Sequence, residues 1–178
     1  MSIETPNLTL RPFPPRHQLA LIEGTPPFAE LFGMPAAEGL RDMFTIDAVS
    51  PTWLATLRDA TETDPWAHGF AVIHRADQRV IGGAGFKGAP DEQGTVEIAY
   101  GIVPGYRRRG YATEAARGLI EFALSSGRVG LLCAHTLPEH NPSTRILTQC
   151  GFTFAGEIND PQDGLIWRWE RAIPSSHD

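Results

Sequence analysis

Period-two alternation opens the chain. Asn7-Leu8-Thr9-Leu10-Arg11 sets apolar and polar side chains on opposite faces and stops at Pro12, which predicts a strand. From Pro14 to about Asp64 the apolar spacing lengthens to a helical period, cut by Pro26-Pro27 and Pro35. Ser50-Pro51 supplies an N-cap followed by proline at the first helical position, and launches a helix over 52–60. Strand patterns follow at 69–74, 79–86 and 95–103, separated by turns at Ala76-Asp77-Gln78 and at Pro90-Asp91-Glu92-Gln93-Gly94, as in an antiparallel meander. From Tyr111 to Ser126, Ala112, Ala115, Ala116, Leu119, Ile120 and Ala123 form an apolar stripe opposite Glu114, Arg117 and Glu121, which predicts a long helix. A strand (129–135), a short helix (143–149, closed by Gly151) and two strands (152–158 and 164–171) complete the pattern.

The strand–helix–strand run from Thr95 to His135 requires a parallel crossover, whereas the other connections are short enough for antiparallel pairs. The expected class is α+β, a single domain over residues 1–178 with a mixed, mostly antiparallel sheet of six to seven strands and helices on its faces. No repeat or long linker divides it.

Charge and cysteine content narrow the function. A net charge of −6 disfavours general nucleic-acid binding, which needs a basic field to release counterions. No apolar run reaches the roughly 18–20 residues of a membrane span. Met1 to Asn7 lacks the basic start and apolar core of a secretion signal, so a cytoplasmic protein without a membrane partner is expected. Cys133 and Cys150 lie in apolar surroundings without CxxC spacing and read as buried thiols, with no metal site expected.

The chemistry concentrates in Val103-Pro104-Gly105-Tyr106-Arg107-Arg108-Arg109-Gly110-Tyr111-Ala112-Thr113-Glu114-Ala115. A strand ends, an arginine-rich loop turns, and a helix starts at a glycine. The first amides of a helix lack internal partners and carry partial positive charge, so a phosphate fits there. The arginine run alone also suits a solvated turn. The segment is neither a GxxxxGK[ST] P-loop nor a GxGxxG dinucleotide fingerprint.

Arg107-x-x-Gly110-x-Ala112 resembles the [RQ]-x-x-G-x-[GA] pyrophosphate motif of the GCN5-related N-acetyltransferases (GNAT superfamily). The wider string from Val96 through Ala115 is similar to the RimJ/RimL-like branch, and a second block agrees, Thr136 to Leu147 ending in Gly151-Phe152. The resemblance implies a GNAT-type sheet with a splayed parallel strand pair, acetyl-CoA as cosubstrate, and transfer of its acetyl group to a primary amine (a protein N-terminus or a small molecule) by direct attack in a ternary complex. It further implies that Gly101, Ile102 and Val103 pair by their main chain with the pantetheine arm. Arg107, Arg108, Arg109, Gly110, Tyr111, Ala112 and Thr113 would hold the pyrophosphate. Asparagine in the second block falls at Asn141, or at His140 if the register is anchored on Ser143; Asn141 is favoured on the cofactor side. The family's tyrosine acid has no equivalent after Asn141, so that role falls to Ser143 as donor to the thiolate, unless Ser143 only caps its helix.

Acyl transfer needs a neutral amine, a stabilised oxyanion and a protonated leaving group. Deprotonating an α-amine near pKa 8 costs about 1.4 kcal/mol at pH 7, against roughly 4–5 for a lysine amine, so a modest base suffices for the former. Glu97 is the candidate base through water: alternation places it on the face of Ala99 and Gly101, opposite the apolar Val96, Ile98, Tyr100 and Ile102. The alternative is an ion pair with an arginine. His135 either relays the amine proton or is structural; His68 and His140 have weaker claims. Trp53, Trp66, Phe28 and Phe32 line an acceptor pocket or pack the core, and Trp167 and Trp169 stack at a sheet edge or a homodimer contact. An acyl-CoA-binding regulator without turnover, and a longer acyl donor, stay open.

Overall fold

The computed structural model describes residues 1–45 and 50–174. Residues 46–49, inside the stretch read as helical, lie outside the described residues. One sheet runs through the molecule in the order β1-β2-β3-β4-β5-β6-β8-β7. Its strands are β1 (Ile3–Glu4), β2 (Leu8–Pro12), β3 (Phe70–His74), β4 (Arg79–Phe86), β5 (Thr95–Ile102), β6 (Leu131–Thr136), β7 (Thr153–Asp160) and β8 (Gly164–Ala172). The helices are α1 (Pro15–Glu23), α2 (Phe28–Phe32), α3 (Leu40–Thr45), α4 (Pro51–Asp59), α5 (Pro65–His68), α6 (Tyr111–Ser126) and α7 (Pro142–Gln149). The sheet has eight strands where six to seven were expected. The extra strand is β1, two residues pairing with Thr9 and Leu10, too short to leave a periodicity.

Each strand pair is antiparallel except β5 with β6. The parallel ladder covers only Thr95↔Leu131, Val96↔Leu132 and Glu97↔Cys133. Beyond it β5 stays with β4 as far as Ile102, and β6 stays with β8 as far as Thr136. The two strands therefore part after Glu97, giving the splayed pair.

The apolar stripe of α6 closes the core: Ala115, Ala116, Leu119, Ile120 and Ala123 are buried against Leu8, Leu10, Val96, Ile98 and Leu132. Alanine at three of these positions brings the helix close to the strands. Glu114, on the opposite side, fixes the first turn. Its carboxylate accepts hydrogen bonds from Thr5 Oγ1, Asn7 N (2.6 Å), Asn7 Nδ2 (3.1 Å) and Leu8 N (3.0 Å), tying α6 to the chain entering β2. Burial opposes ionisation of this carboxyl, but the four donors outweigh it and hold its pKa below the ordinary range.

Cys133 and Cys150 are free, buried thiols, and burial raises the pKa of each. Phe32 and Trp66 are core residues, and Phe28 stacks on Phe32 at 5.1 Å between centroids. Trp66 packs on Phe86 and Phe122. Trp167 and Trp169 flank Phe154 near the sheet edge, where β7 is the last strand. Among the described residues no helix is long and apolar enough to cross a membrane, and no group of three metal-binding side chains forms.

Candidate active site

A cavity of about 1090 Å³ lies against the end of β5 that has parted from β6. Its walls are Tyr100, Gly101 and Ile102 of β5, the loop and first turn of α6 from Tyr106 to Thr113, and the start of α7. Pro142, Arg145, Ile146 and Gln149 line it because an i, i+3, i+4, i+7 set shares one helix face.

The first turn of α6 has the geometry of an anion site. Glu114 N bonds Gly110 O, so the amides of Tyr111, Ala112 and Thr113 have no carbonyl partner within the helix, and no side chain caps them. The loop reaches this corner through two left-handed residues, Arg108 (φ 65°) and Gly110 (φ 82°). A Cβ at position 110 would meet nothing within 4 Å, so the backbone conformation is what calls for glycine in the protein alone. The Arg108 backbone lies in a region that non-glycine residues seldom occupy.

Around this turn the loop is clasped from outside. Tyr106 donates its hydroxyl to Asp77 Oδ2 (2.6 Å), and that bond raises the phenol pKa. The Asp77 amide donates to His74 Nδ1 (3.2 Å), and His74 Nε2 lies 2.9 Å from the Tyr111 hydroxyl. The turn after β3 thus holds both tyrosines that bracket the arginine run.

The expected cofactor residues do not all reach the cavity. Ile102, Arg107, Arg108, Gly110, Tyr111, Ala112, Thr113 and Asn141 line it. Val103 does not: it is buried, and its amide donates to Ile81 O (2.9 Å). Arg109 is outside the lining, its guanidinium 5.4 Å from the centre of the Tyr106 ring. Arg107 spends Nε on Ile102 O (2.9 Å), keeping its other nitrogens for the cavity. The Gly101 carbonyl is turned toward Gly82 of β4. By strand alternation, the Ile102 amide and the Tyr100 main chain are what β5 presents along its open edge.

Asn141, not Ser143, caps α7. Its side chain accepts from Thr144 N (3.0 Å), while its own amide donates to Thr144 Oγ1 (3.0 Å), a reciprocal capping box. Ser143 therefore sits inside the helix, exposed and facing the cavity, with no side-chain hydrogen bond among the described residues. The asparagine–proline–serine order conceals this: proline at the first helical position puts the cap at Asn141, two residues before Ser143.

Glu97 and His135 meet where the strands separate. His135 Nδ1 lies 2.7 Å from Glu97 Oε1, and Lys87 Nζ lies 3.2 Å from the same oxygen. The partners of Glu97 are thus a histidine and the chain's one lysine, not an arginine. Both side chains are about one-fifth exposed, so water reaches them. His68 and His140 are elsewhere: the first lies in a second cavity, the second against Trp167.

That second cavity, about 370 Å³, lies against β4 and β5 and shares Tyr100 and Gly101 with the first. Alternation assigned Tyr100 to the core. It is half-buried, and burial raises its pKa, so its hydroxyl stays protonated. Tyr100, Tyr106 and Arg145 are lining residues that pattern reading missed; the helical spacing of Arg145 from Pro142 was the available signal.

The family model described as "Acetyltransferase (GNAT) domain" matches residues 7–153. The N-acetyltransferase YjdG of Bacillus subtilis is 36% identical over 81 residues, 46% of this chain and 48% of that protein. The chain therefore spans about half the length of the curated relatives it matches. A GNAT-family acetyltransferase from Bacillus anthracis superposes with a TM-score of 0.65 at 19% identity, covering 97% of this chain and 98% of that one. The ribosomal-protein-S5-alanine acetyltransferase of Vibrio fischeri gives 0.67 at 15% identity, covering 97% and 96%. At these identities the structures share the fold.

Proposed function

The chain belongs to the acetyltransferase (GNAT) domain family, and from that premise we propose that it transfers an acetyl group from acetyl-CoA to a primary amine within a ternary complex. The observation that carries this reading is the uncapped first turn of α6, opening with Arg107, Arg108 and Arg145 into a cavity that runs along the unpaired edge of β5. Three free amides and several guanidinium donors suit a diphosphate, each charge-assisted bond contributing about 1.5–3 kcal/mol. From Ile102 back to Ile98 the parted strand spans four residue steps, roughly 13 Å at about 3.3 Å each, a path for an extended arm.

Acetyl-CoA supplies, when bound, an electrophilic thioester carbonyl and a thiolate leaving group. The chain's residues do the rest. The Ile102 amide and the Tyr100 main chain hold the arm by strand-like bonds. Glu97 accepts from His135 Nδ1–H, which leaves Nε2 as the basic nitrogen, and the pair takes the amine proton directly or through water. The amine nitrogen bonds the acyl carbon, the carbon–sulfur bond breaks, and Ser143 Oγ–H donates to the departing sulfur. The proton held by the pair then restores the Ser143 hydroxyl through water, leaving the amide and the free thiol as products. The RimJ/RimL-like likeness of the 96–152 region supports an α-amine acceptor, for which so mild a base is sufficient.

The test is a thiol-release assay on an amine panel beside calorimetry with acetyl-CoA. Saturable binding and amine-dependent thiol release are expected. Binding without release on any amine would favour a regulator that only senses acyl-CoA.

A further inference from the structure

The second cavity is built to hold something apolar beside the point of transfer. Its walls are the rings of Phe13, Phe44 and Trp53 with the thioether of Met43, while Phe70 turns its ring to the other face of the sheet, against Phe122. Its floor is the register pair Gly83↔Gly101 and its neighbour Gly85↔Ala99, so four small residues face it from two adjacent strands. Glycine inside a strand weakens it and often marks the close approach of another group. Here a Cβ on Gly83 would stand 3.1 Å from Phe44 Cζ, and one on Gly101 would stand 2.8 Å from Met43 Cε. The absent side chains thus bring an aromatic ring down onto β4 and an adaptable thioether onto β5, the strand that both cavities share.

The polar groups at the wall are mostly engaged. Gln18 Nε2 donates to Phe13 O (3.0 Å) and His68 O (2.8 Å). His68 Nδ1 accepts from the Asp64 amide (2.9 Å), and burial lowers the ring's pKa although Asp64 opposes this. A neutral ring so bonded carries its proton on Nε2, and it offers an acceptor molecule a hydrogen-bond donor, not a base.

We infer that this cavity is the acceptor subsite and that its amine carries an aromatic or large branched apolar group near the nitrogen. The inference rests on the acetyltransferase reading and deepens it. An apolar cavity of about 150 Å³ is enough to bind benzene, so 370 Å³ holds a ring and the short tail that carries the amine toward Gly101. On that path the nitrogen arrives on the face of β5 that Glu97 also occupies, two positions beyond Ala99.

A free amine and the N-terminal residue of a polypeptide present the same chemistry, so the experiment has two arms, both with the full chain and saturating acetyl-CoA. One compares 2-phenylethylamine with ethanolamine. The other compares a short peptide headed by phenylalanine with the same peptide headed by serine. In at least one arm the aromatic member should lead in kcat/KM by about 10–100-fold, the worth of burying one large apolar group. Trp53→Ala should cut that ratio several-fold while leaving acetyl-CoA affinity unchanged, a split that a general loss of structure does not produce. Equal kcat/KM within both pairs overturns the assignment and leaves the transferase reading standing. Acetyl-CoA binding with no thiol release on any of the four acceptors overturns the transferase reading, and this assignment with it.

Discussion

Replacing Glu114 tests whether one carboxylate anchors the helix that carries the anion site. In the structure its oxygens take four hydrogen bonds, two from main-chain amides of Asn7 and Leu8. Charge-assisted bonds contribute about 1.5–3 kcal/mol each when buried, but this site is partly open, and amides released there regain water. A total of about 2–4 kcal/mol for Glu114→Ala is therefore reasonable, including roughly 0.3–1 kcal/mol from a negative charge in the first helical turn. Glu114→Gln keeps an oxygen for the main-chain donors and loses the charge, so it should cost about 1–1.5 kcal/mol. For a chain of this size each kcal/mol shifts Tm by about 2–4 °C, which puts the alanine variant roughly 4–16 °C below wild type.

The pH dependence gives a sharper check. The folded carboxyl titrates below its unfolded value, so its contribution is fully present above the unfolded pKa and disappears as pH falls through the folded one. Urea midpoints of wild type and Glu114→Gln should differ at pH 7 and converge on acidification below the ordinary carboxylate range. Coincident midpoints at pH 7, or a gap that persists at the lowest pH where both fold, would refute this account of the anchor.

Three further outcomes are expected. Gly110→Val places a β-branched residue at φ 82°, costing about 1–2 kcal/mol of backbone strain, and crowds the corner proposed to take the phosphate; acetyl-CoA affinity by calorimetry should drop at least about tenfold, and unchanged affinity would remove the case for this loop. Glu97→Gln should lower kcat by about 10²-fold with acetyl-CoA affinity retained, and full activity would discard the Glu97–His135 pair as proton acceptor. Asn141→Ala should lose about 1 kcal/mol by thermal denaturation through the missing cap, whereas Ser143→Ala should leave stability unchanged; the reverse order would restore Ser143 as the cap.

Much of the fold was legible because its signals are local. The alternation at 7–11, the stripe of α6 and the glycine and proline punctuation each report a period or a backbone requirement at fixed spacing. The crossover from β5 to β6 followed from connection length alone. What escaped was set by contacts distant in sequence. The strand at Ile3–Glu4 exists because β2 offers an edge, and the second cavity has its shape because Met43 and Phe44 descend onto glycines some forty to sixty positions away. Similarly, Val103 is one residue from a lining position, but its amide is committed to Ile81, which only the β4–β5 register determines. Glu97 and His135 were each singled out, yet their direct bond depended on the ladder that places Glu97 opposite Cys133.

The brief parallel ladder has a mechanical consequence. Three residue pairs form the whole seam between a five-stranded half of the sheet and a three-stranded half, so the halves are held along one end and can flex like a clothes-peg. Anything extended laid between the jaws acts as a surrogate strand and stitches them together. Hydrogen exchange at the Tyr100 and Ile102 amides should then slow sharply on acetyl-CoA binding, while amides in the seam itself change little.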